Sequence, residues 1–286
     1  MVHDFVKRYI SRGKFKGIND ASLLAWRHTP HFLREMLVEQ YYRAFPNRLP
    51  PVRFLVFAQG RTGSTVLMDL LNSHRQISCL GEIFSRNVIR SVQRPVEFAE
   101  GLCCLSTNLA SGYKVAVYQI TNSQRMAPRD FLRRFRERGW SILYLKRTNL
   151  LRHAVSDIRG DYTRIFHHTS DKGDTSLKST RSRRIHVPID RLFETLKFRE
   201  DCLTREANAL DGFPHFMIEY ERDLLSIESK QAVMDRIFEY LSLPACRVKT
   251  EYRKVTSRDL SDVLSNHEEI RDAVKGTRYE QYLGWG

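Results

Sequence analysis

Residues 54–71 read FLVFAQGRTGSTVLMDLL, and this stretch decides the fold class. The run Arg53–Ala58 is apolar, too short for a helix and bounded by turn residues, which predicts a buried strand. The glycine-containing turn Gln59–Ser64 follows, and Thr65–Ser73 then has helical spacing. In a strand–turn–helix unit of this kind, backbone N–H groups and the helix N-terminus can bind an anion.

Strands and helices alternate along the rest of the chain. The predicted strands are Lys114–Ile120, Ser141–Leu145 and His215–Tyr220. The predicted helices are Arg129–Arg138, Asn149–Ile158, Asp190–Leu210 and Lys230–Leu241. This alternation indicates βαβ units. We therefore expect an α/β fold of three layers, with a central, mainly parallel sheet and helices on both faces.

Two regions depart from the alternation. Residues 1–50 have a helical pattern, which Pro30 divides, and we expect them to form an N-terminal helical segment packed on an α/β domain of residues 51–286. The stretch Gly160–His186 has little apolar periodicity and is predicted to be a long loop. A loop of this length is either functional, as a lid or an acceptor-binding segment, or a simple insertion.

The composition limits the function classes. The chain has 286 residues, with 47 Lys and Arg against 33 Asp and Glu and a net charge of +14, which favours anionic ligands. Its five cysteines form no CxxC pair, which argues against a zinc ribbon or a thioredoxin-type site. Neither a signal peptide nor an apolar run long enough to span a membrane is visible. We expect a cytoplasmic protein whose basic charge allows contact with the inner membrane surface.

The turn after the first strand holds the donors for an anion. Its glycines let the backbone approach the ligand, its hydroxyl groups donate hydrogen bonds, and its arginine adds a planar, charged fork. A Walker A motif has four residues between its glycines and a Lys before the Ser or Thr, and this turn has neither feature. It should therefore hold an anion shorter than a triphosphate, which makes a nucleotide kinase-like enzyme the weaker alternative. The residues are Gly60, Arg61, Thr62, Gly63, Ser64 and Thr65.

The sequence GRTGSTVLMDLLNSH, residues 60–74, resembles the 5′-phosphosulfate loop of sulfotransferases that use 3′-phosphoadenosine 5′-phosphosulfate (PAPS). It is most similar to the bacterial branch that includes Nod-factor and glycolipid sulfotransferases. The sequence LYLKRTNLLRHAVS, residues 143–156, resembles the family's 3′-phosphate motif, which implies that Arg147 and Ser156 bind that phosphate. The two lie nine residues apart instead of the usual eight, so Arg152 stays an alternative cation.

The resemblance extends to the carboxy-terminal stretch 253–283, where the family has a basic loop over the nucleotide. It implies that Arg253 and Lys254 contact the 3′-phosphate, although a solvated basic turn is the other interpretation. A P-loop-type fold, PAPS as the sulfuryl donor and no metal are also implied. The expected partner is a carbohydrate or glycolipid hydroxyl, not a nucleic acid.

Glu82, in the segment CLGEIF at 79–84, is the candidate catalytic base. In the sulfotransferases that this chain resembles, a Glu in the comparable segment takes the acceptor's proton. Its apolar neighbours would raise its pKa and so favour proton abstraction. A structural ion pair with Arg86 is one alternative. His74 is the rival base, but it ends a predicted helix, where His commonly acts as a cap.

Arg61 is predicted to share the catalytic role with Glu82, because a cation and the loop N–H groups can stabilise the charge that develops during transfer. A function of another class stays open. The arginines in Arg133–Arg138 and Arg181–Arg184 would suit a non-catalytic binder of acidic polymers, although such runs are usually solvated surface.

Overall fold

The structure is a computed structural model that describes residues 30–86, 88–89, 91–163, 184–250 and 259–284. Its centre is a sheet of five strands: β1 Val52–Ala58, β2 Ile77–Leu80, β3 Ala110–Val115, β4 Ser141–Lys146 and β5 Phe216–Glu219. Their order is β2-β3-β1-β4-β5, and every neighbouring pair is parallel. Parallel neighbours require crossover connections, which the helices supply.

Among the described residues, each helix that the sequence predicted is present close to its predicted position. They are α1 His31–Ala44, α2 Ser64–Asn72, α3 Pro95–Cys103, α4 Pro128–Glu137, α5 Leu150–Thr163, α6 Ile189–Leu210, α7 Tyr220–Asp223, α8 Ile227–Tyr240 and α9 His267–Val274. Short 3₁₀ turns lie at Pro46–Arg48, Leu260–Asp262 and Glu280–Tyr282. Helix α3 had no counterpart in the predicted elements.

The central strand is buried on both faces, which explains its continuous apolar run. Leu55 and Phe57 belong to a core cluster with residues of α3, α4 and α6. Phe54 and Val56 belong to a second cluster with residues of α2 and α8. The fold is therefore a three-layer α/β sandwich, and the predicted fold class is confirmed.

Helix α1 begins directly after Pro30, the residue at which the sequence predicted a break. It packs on α3 at Gly101, where a Cβ would lie 2.5 Å from the carbonyl oxygen of Val38. A residue with a side chain at this position would force the two helices apart.

The strand predicted at Lys114–Ile120 is wrong in its position, because β3 ends at Val115. The cause is Gly112, which gives β3 a weakly apolar sequence but leaves room for the ring of Phe54; a Cβ would lie 2.2 Å from that ring. Beyond the strand the chain forms a π-helical turn, Gln119–Ser123, and the Ala116 N–H donates to Oε1 of Gln119 at 3.0 Å.

The first residues of the loop predicted at Gly160–His186 are helical, because α5 continues through Thr163. Residues 164–183 of that loop lie outside the described residues. Beyond them, Ile185 forms an isolated parallel bridge with Leu264. Residues of α5, α6 and the C-terminal region share a third core cluster, which fixes these elements to one another.

Candidate functional site

The topology opens a crevice at the carboxyl ends of β1 and β4. These strands are neighbours, but the chain leaves β1 toward β2 on one side and leaves β4 toward β5 on the other. Ligands of open α/β sheets bind at such a switch point. The predicted anion loop follows β1 and the predicted 3′-phosphate motif follows β4, so both motifs meet here.

The loop after β1 has a tight backbone that only particular residues can adopt. Arg61 and Gly63 have positive φ angles of 65° and 85°. A Cβ on Gly63 would also lie 2.4 Å from the ring of Tyr220, so a side chain here is opposed by both conformation and contact. The hydroxyl of buried Thr62 donates to the carbonyl oxygen of Gln59 at 2.8 Å and closes the turn.

Both the N–H and the carbonyl oxygen of Gly60 form hydrogen bonds to side chains. Its N–H donates to the hydroxyl of Tyr118 at 3.0 Å, and its carbonyl oxygen accepts from Nε2 of His153 at 2.7 Å. Burial and the nearby arginine charges lower the pKa of His153 well below its ordinary value, so the ring is neutral at pH 7. Gly60 therefore shapes the loop through these bonds, and its N–H is already used within the protein.

The start of α2 completes the loop. The helix begins at Ser64 with Gly63 as its N-cap residue and without a side-chain cap. A helix N-terminus of this kind favours an anion, because its first N–H groups have no partner within the helix. Ser64 is buried, whereas Arg61, Gly63 and Thr65 are partly exposed.

Arg61 joins the two predicted phosphate motifs. Its Nε donates to the backbone oxygen of Ser156 at 3.1 Å and to the Ser156 hydroxyl at 3.3 Å. The carbonyl oxygen of Arg61 accepts from Nη1 of Arg147 at 3.2 Å. Burial lowers the pKa of Arg61, while the carboxylate of Asp157 opposes that effect. The structure thus brings Arg61, Arg147 and Ser156 together.

Glu221 holds the first residues of the 3′-phosphate motif. Its carboxylate accepts from the backbone N–H and the hydroxyl of Thr148, each at 2.9 Å, and from the Asn149 N–H at 3.3 Å. It also accepts from Nε of Arg147 at 3.3 Å. Glu221, two residues after the end of β5, therefore supports the start of this motif.

Arg147 lies in the wall of the crevice. The residue is 7% exposed, and its guanidinium stacks over the ring of Tyr220, 4.9 Å from the centroid. Ser156 is 5% exposed. Arg152 is only partly buried, and burial followed by the charge of Arg147 lowers its pKa. The alternative cation is therefore the more accessible of the two arginines.

Glu82 lies after β2 and interacts with two residues that the sequence did not single out. Its Oε1 forms an ion pair with Nζ of Lys114 in β3, and its Oε2 accepts from Nε2 of Gln119 at 2.6 Å. The Lys114 side chain is 3% exposed and that of Glu82 is 38% exposed. The carboxylate thus meets a buried cation instead of the apolar setting that we expected, and its ion-pair partner is not Arg86.

Tyr118 connects Glu82 with the anion loop. Its hydroxyl accepts from the Gly60 N–H, and its pKa is raised by burial first and by the negative charge of Glu82 second. Lys114, Tyr118 and Gln119 were missed because the run KVAVYQI was interpreted as one strand. The signal was present in the three hydrogen-bonding side chains that interrupt this apolar run.

His74 lies near the opposite end of the strands from the anion loop. Helix α2 starts at the loop and has nine residues, so it carries the chain about 13 Å away before His74 follows. The Nε2 of His74 donates to the Pro244 carbonyl oxygen at 3.0 Å, and its Nδ1 accepts from the Gln76 N–H at 3.1 Å. This placement gives His74 a structural role, while β2 returns the chain to the loop at Glu82.

Most arginines of the basic run Arg133–Arg138 form contacts within the protein. Arg133 pairs with Glu137 at 2.7 Å, Nη1 of Arg136 donates to the Trp140 carbonyl oxygen at 2.8 Å, and Arg138 binds the buried Glu100. These contacts weaken the interpretation of this run as a binding surface for acidic polymers.

Arg253 and Lys254, together with Arg181 and Arg183, lie outside the described residues. Within the described ranges, no group of three or more His, Cys, Asp or Glu side chains could hold a metal ion. In that same part of the chain, no helix combines the length and the apolar character needed to cross a membrane.

Comparisons with known proteins add a structural similarity. Among solved structures, the chain is similar to the sulfotransferase STF9 from Mycobacterium avium, with 10% sequence identity and a TM-score of 0.43. The alignment covers 96% of this chain and 94% of that chain. No family model and no curated protein matches the sequence.

Proposed function

We propose that the protein is a sulfotransferase that transfers a sulfuryl group from PAPS to a hydroxyl group of a glycan or glycolipid. The observation that carries this proposal is the contact of Arg61 with Ser156, which joins two anion-binding motifs in one crevice. PAPS has phosphate groups at both its 5′ and 3′ ends, so it requires two such motifs near each other. The resemblance of both motifs to those of PAPS-dependent enzymes supports the same assignment.

The residues of the loop fit the phosphosulfate end of the donor. Gly63 lets the ring of Tyr220 pack against the loop, because a Cβ there would lie 2.4 Å from the ring, and the N-terminus of α2 begins at this point. Arg61 adds a positive charge on the same side. We assign the 5′ end to this loop and the 3′-phosphate to Arg147 and Ser156, with Arg152 as the accessible cation and Arg253 and Lys254 as further contacts.

Glu82 is the proposed base. When bound, the donor supplies an activated sulfuryl group whose bond to the phosphate oxygen breaks as the acceptor oxygen bonds to sulfur. Glu82 receives the proton of the acceptor hydroxyl, while Lys114 and Gln119 hold its carboxylate in place. Arg61 stabilises the negative charge that collects on the leaving phosphate oxygen, so the chain's own cation fulfils this role.

The test is calorimetric titration with 3′,5′-adenosine bisphosphate, the desulfated donor, with 5′-AMP and ATP as controls. We expect micromolar binding of the bisphosphate, equivalent to about −8 kcal/mol, and weaker binding of both controls. Arg147→Met and Arg152→Met should each reduce the preference for the bisphosphate over 5′-AMP. Arg134→Met, an exposed arginine on α4, serves as the matched control and should leave it unchanged.

Two outcomes would contradict the proposal. A preference for ATP that depends on magnesium would favour a nucleotide kinase-like enzyme. Binding of acidic polymers in low salt, without binding of the bisphosphate, would favour the non-catalytic alternative.

The acceptor and the place of action are part of the same proposal. The net charge of +14 suits an acceptor presented at an anionic membrane surface, and we propose that the enzyme works at the cytoplasmic face. Donor consumption should then rise when glycolipid acceptors are added in vesicles that contain anionic lipid, compared with the same acceptors in neutral vesicles.

A further inference from the structure

We propose that Arg199, on α6, is a positioning residue that keeps the two phosphate-binding segments of the crevice at a fixed separation. This proposal rests on the proposed function. It adds to the site a residue whose helix belongs to neither of the two predicted phosphate motifs. Helix α6 is a regular amphipathic helix of 22 residues, and Arg199 lies on its buried side among apolar residues.

The guanidinium of Arg199 contacts both segments at once. Its Nη1 donates to Oε1 of Gln59 at 3.2 Å, and its Nη2 forms an ion pair with the carboxylate of Asp157. Gln59 is the first residue of the anion loop, and Asp157 follows Ser156 on α5. One buried side chain, 5% exposed, therefore bridges the loop after β1 and the helix after β4.

The other side of the Gln59 amide is fixed from the same helix. Nε2 of Gln59 donates to Oε2 of Glu206 at 3.2 Å, and the hydroxyl of Tyr144 donates to the same oxygen at 3.1 Å. Glu206 is fully buried. The side chain of Gln59 is thus held at both its oxygen and its nitrogen, so α6 determines where the anion loop begins.

The network is an inefficient way to stabilise a fold. Among the described residues, Nε of Arg199 and Oε1 of Glu206 are buried polar atoms without a hydrogen-bond partner. Buried charged groups with incomplete partners cost stability, and apolar replacements of similar volume are often as stable. A role in positioning explains this arrangement better than a role in stability.

A positioning role makes a specific prediction about ligands. A ligand with one phosphate uses one segment, so its affinity depends little on the separation of the two. A bisphosphate uses both segments, and its advantage depends on their being held in place before binding. Loss of Arg199 should therefore reduce the advantage of the bisphosphate more than it reduces the affinity for either monophosphate.

The experiment compares dissociation constants for 3′,5′-adenosine bisphosphate, 5′-AMP and 3′-AMP in the full chain. In Arg199→Met, we expect the preference for the bisphosphate over 5′-AMP to fall at least about tenfold, which corresponds to about 1.4 kcal/mol. The constants for the two monophosphates should change by less than about threefold, since each uses one segment. Arg205→Met, an exposed arginine on the same helix, is the matched control and should leave all three unchanged.

Asp157→Asn is the second variant, in case loss of the buried arginine prevents folding. It removes the charge at the α5 end of the bridge from a side chain that is 30% exposed, and the same selective loss is expected. With PAPS as donor, both variants should raise KM for the donor more than they lower kcat, a split that general destabilisation would not produce.

The possible results separate the two proposals. If the wild-type protein prefers the bisphosphate and both variants keep that preference, the positioning role of Arg199 is wrong and the proposed function stands. An equal loss for all three ligands, with a lower melting temperature, would show a purely structural role and also overturn the inference. If the wild-type protein has no preference for the bisphosphate, the proposed function fails first, and the inference falls with it.

Discussion

Nε of Arg61 lies 3.1 Å from the backbone oxygen of Ser156 and 3.3 Å from its hydroxyl oxygen. This pair of bonds links the loop after β1 to the helix after β4, two segments between which the chain forms three strands, β2, β3 and β4. The backbone bond fixes the position of the arginine, whereas the hydroxyl bond is the component that a substitution can remove.

Ser156→Ala tests the hydroxyl. The variant keeps the backbone bond and removes one hydrogen bond to a charged donor, so we expect affinity for 3′,5′-adenosine bisphosphate to fall about tenfold or more. Affinity for 5′-AMP should change less, because we assign the 5′ end to the loop after β1. Titration calorimetry measures both constants, and an equal change in the two would contradict the assignment of Ser156 to the 3′-phosphate.

Glu82→Gln tests the base. The amide cannot accept the acceptor's proton, so kcat should fall by about 100-fold to 10,000-fold, while the donor product binds as in the wild type. Steady-state turnover and calorimetry measure these quantities, and Glu239→Gln, an exposed glutamate on α8, is the control. Turnover close to that of the wild type would remove Glu82 from the chemistry.

Tyr118→Phe removes the hydroxyl that accepts the Gly60 N–H. The ring still fills its place, but the N–H loses a partner, which typically costs about 1–3 kcal/mol for a buried group. We expect bisphosphate affinity to fall about tenfold, because the loop is less well ordered before binding. Tyr162→Phe, at an exposed position, is the control. Unchanged affinity would show that the loop does not depend on this bond.

Gly63→Ala tests the shape of the loop. The added methyl group meets both an unfavourable φ and the ring of Tyr220 at 2.4 Å, so bisphosphate binding should be lost and thermal stability lowered. Gly212→Ala is a matched control, because Gly212 also has a positive φ of 72° but has no atom within 4 Å of an added Cβ. If both variants bind the bisphosphate equally well, the contact with Tyr220 does not shape the site.

Glu206 should make stability depend on pH. Burial raises its pKa from 4.5 to about 7, although the hydrogen bonds from Gln59 and Tyr144 oppose the shift. The folded protein therefore holds a proton that the unfolded chain releases between about pH 4.5 and 7. The stability that this proton confers is present below pH 4.5 and is lost as the pH rises through 7.

Glu206→Gln replaces the carboxyl group with an amide that does not titrate in this pH range. Between pH 5 and pH 8, the free energy of unfolding of the wild type should fall relative to that of the variant by up to about 3 kcal/mol. Urea denaturation at both pH values measures the difference. The same dependence on pH in both proteins would mean that Glu206 does not titrate in this range.

The sequence predicts the parts of the fold in which pattern and structure share a cause. Strand β1 is buried on both faces, so its apolar run is continuous, and the glycines of the next turn mark the loop. The position of strand β3 was predicted wrongly because Gly112 makes room for the ring of Phe54. No local sequence pattern encodes this contact between two strands.

The residues of the candidate site also form two groups: those that a local sequence motif marks and those that only the tertiary structure brings together. Arg61, Glu82, Arg147 and Ser156 lie in motifs that can be recognised in one stretch of chain. Lys114, Tyr118 and Arg199 act through partners that only the tertiary structure brings near. Arg199 and Glu206 also lie on the buried side of α6, where periodicity predicts apolar residues, so their role follows from contacts with Gln59 and not from spacing.

The most direct test of sulfuryl transfer is a product balance. Wild-type protein and Glu82→Gln are incubated with PAPS and a library of glycan and glycolipid acceptors, and both products are measured by mass spectrometry. We predict equal molar amounts of 3′,5′-adenosine bisphosphate and an acceptor that carries one added sulfuryl group, formed by the wild type and almost absent with the variant. Firm binding of the bisphosphate with no sulfated product from any acceptor, or equal product from both proteins, would contradict the proposed mechanism.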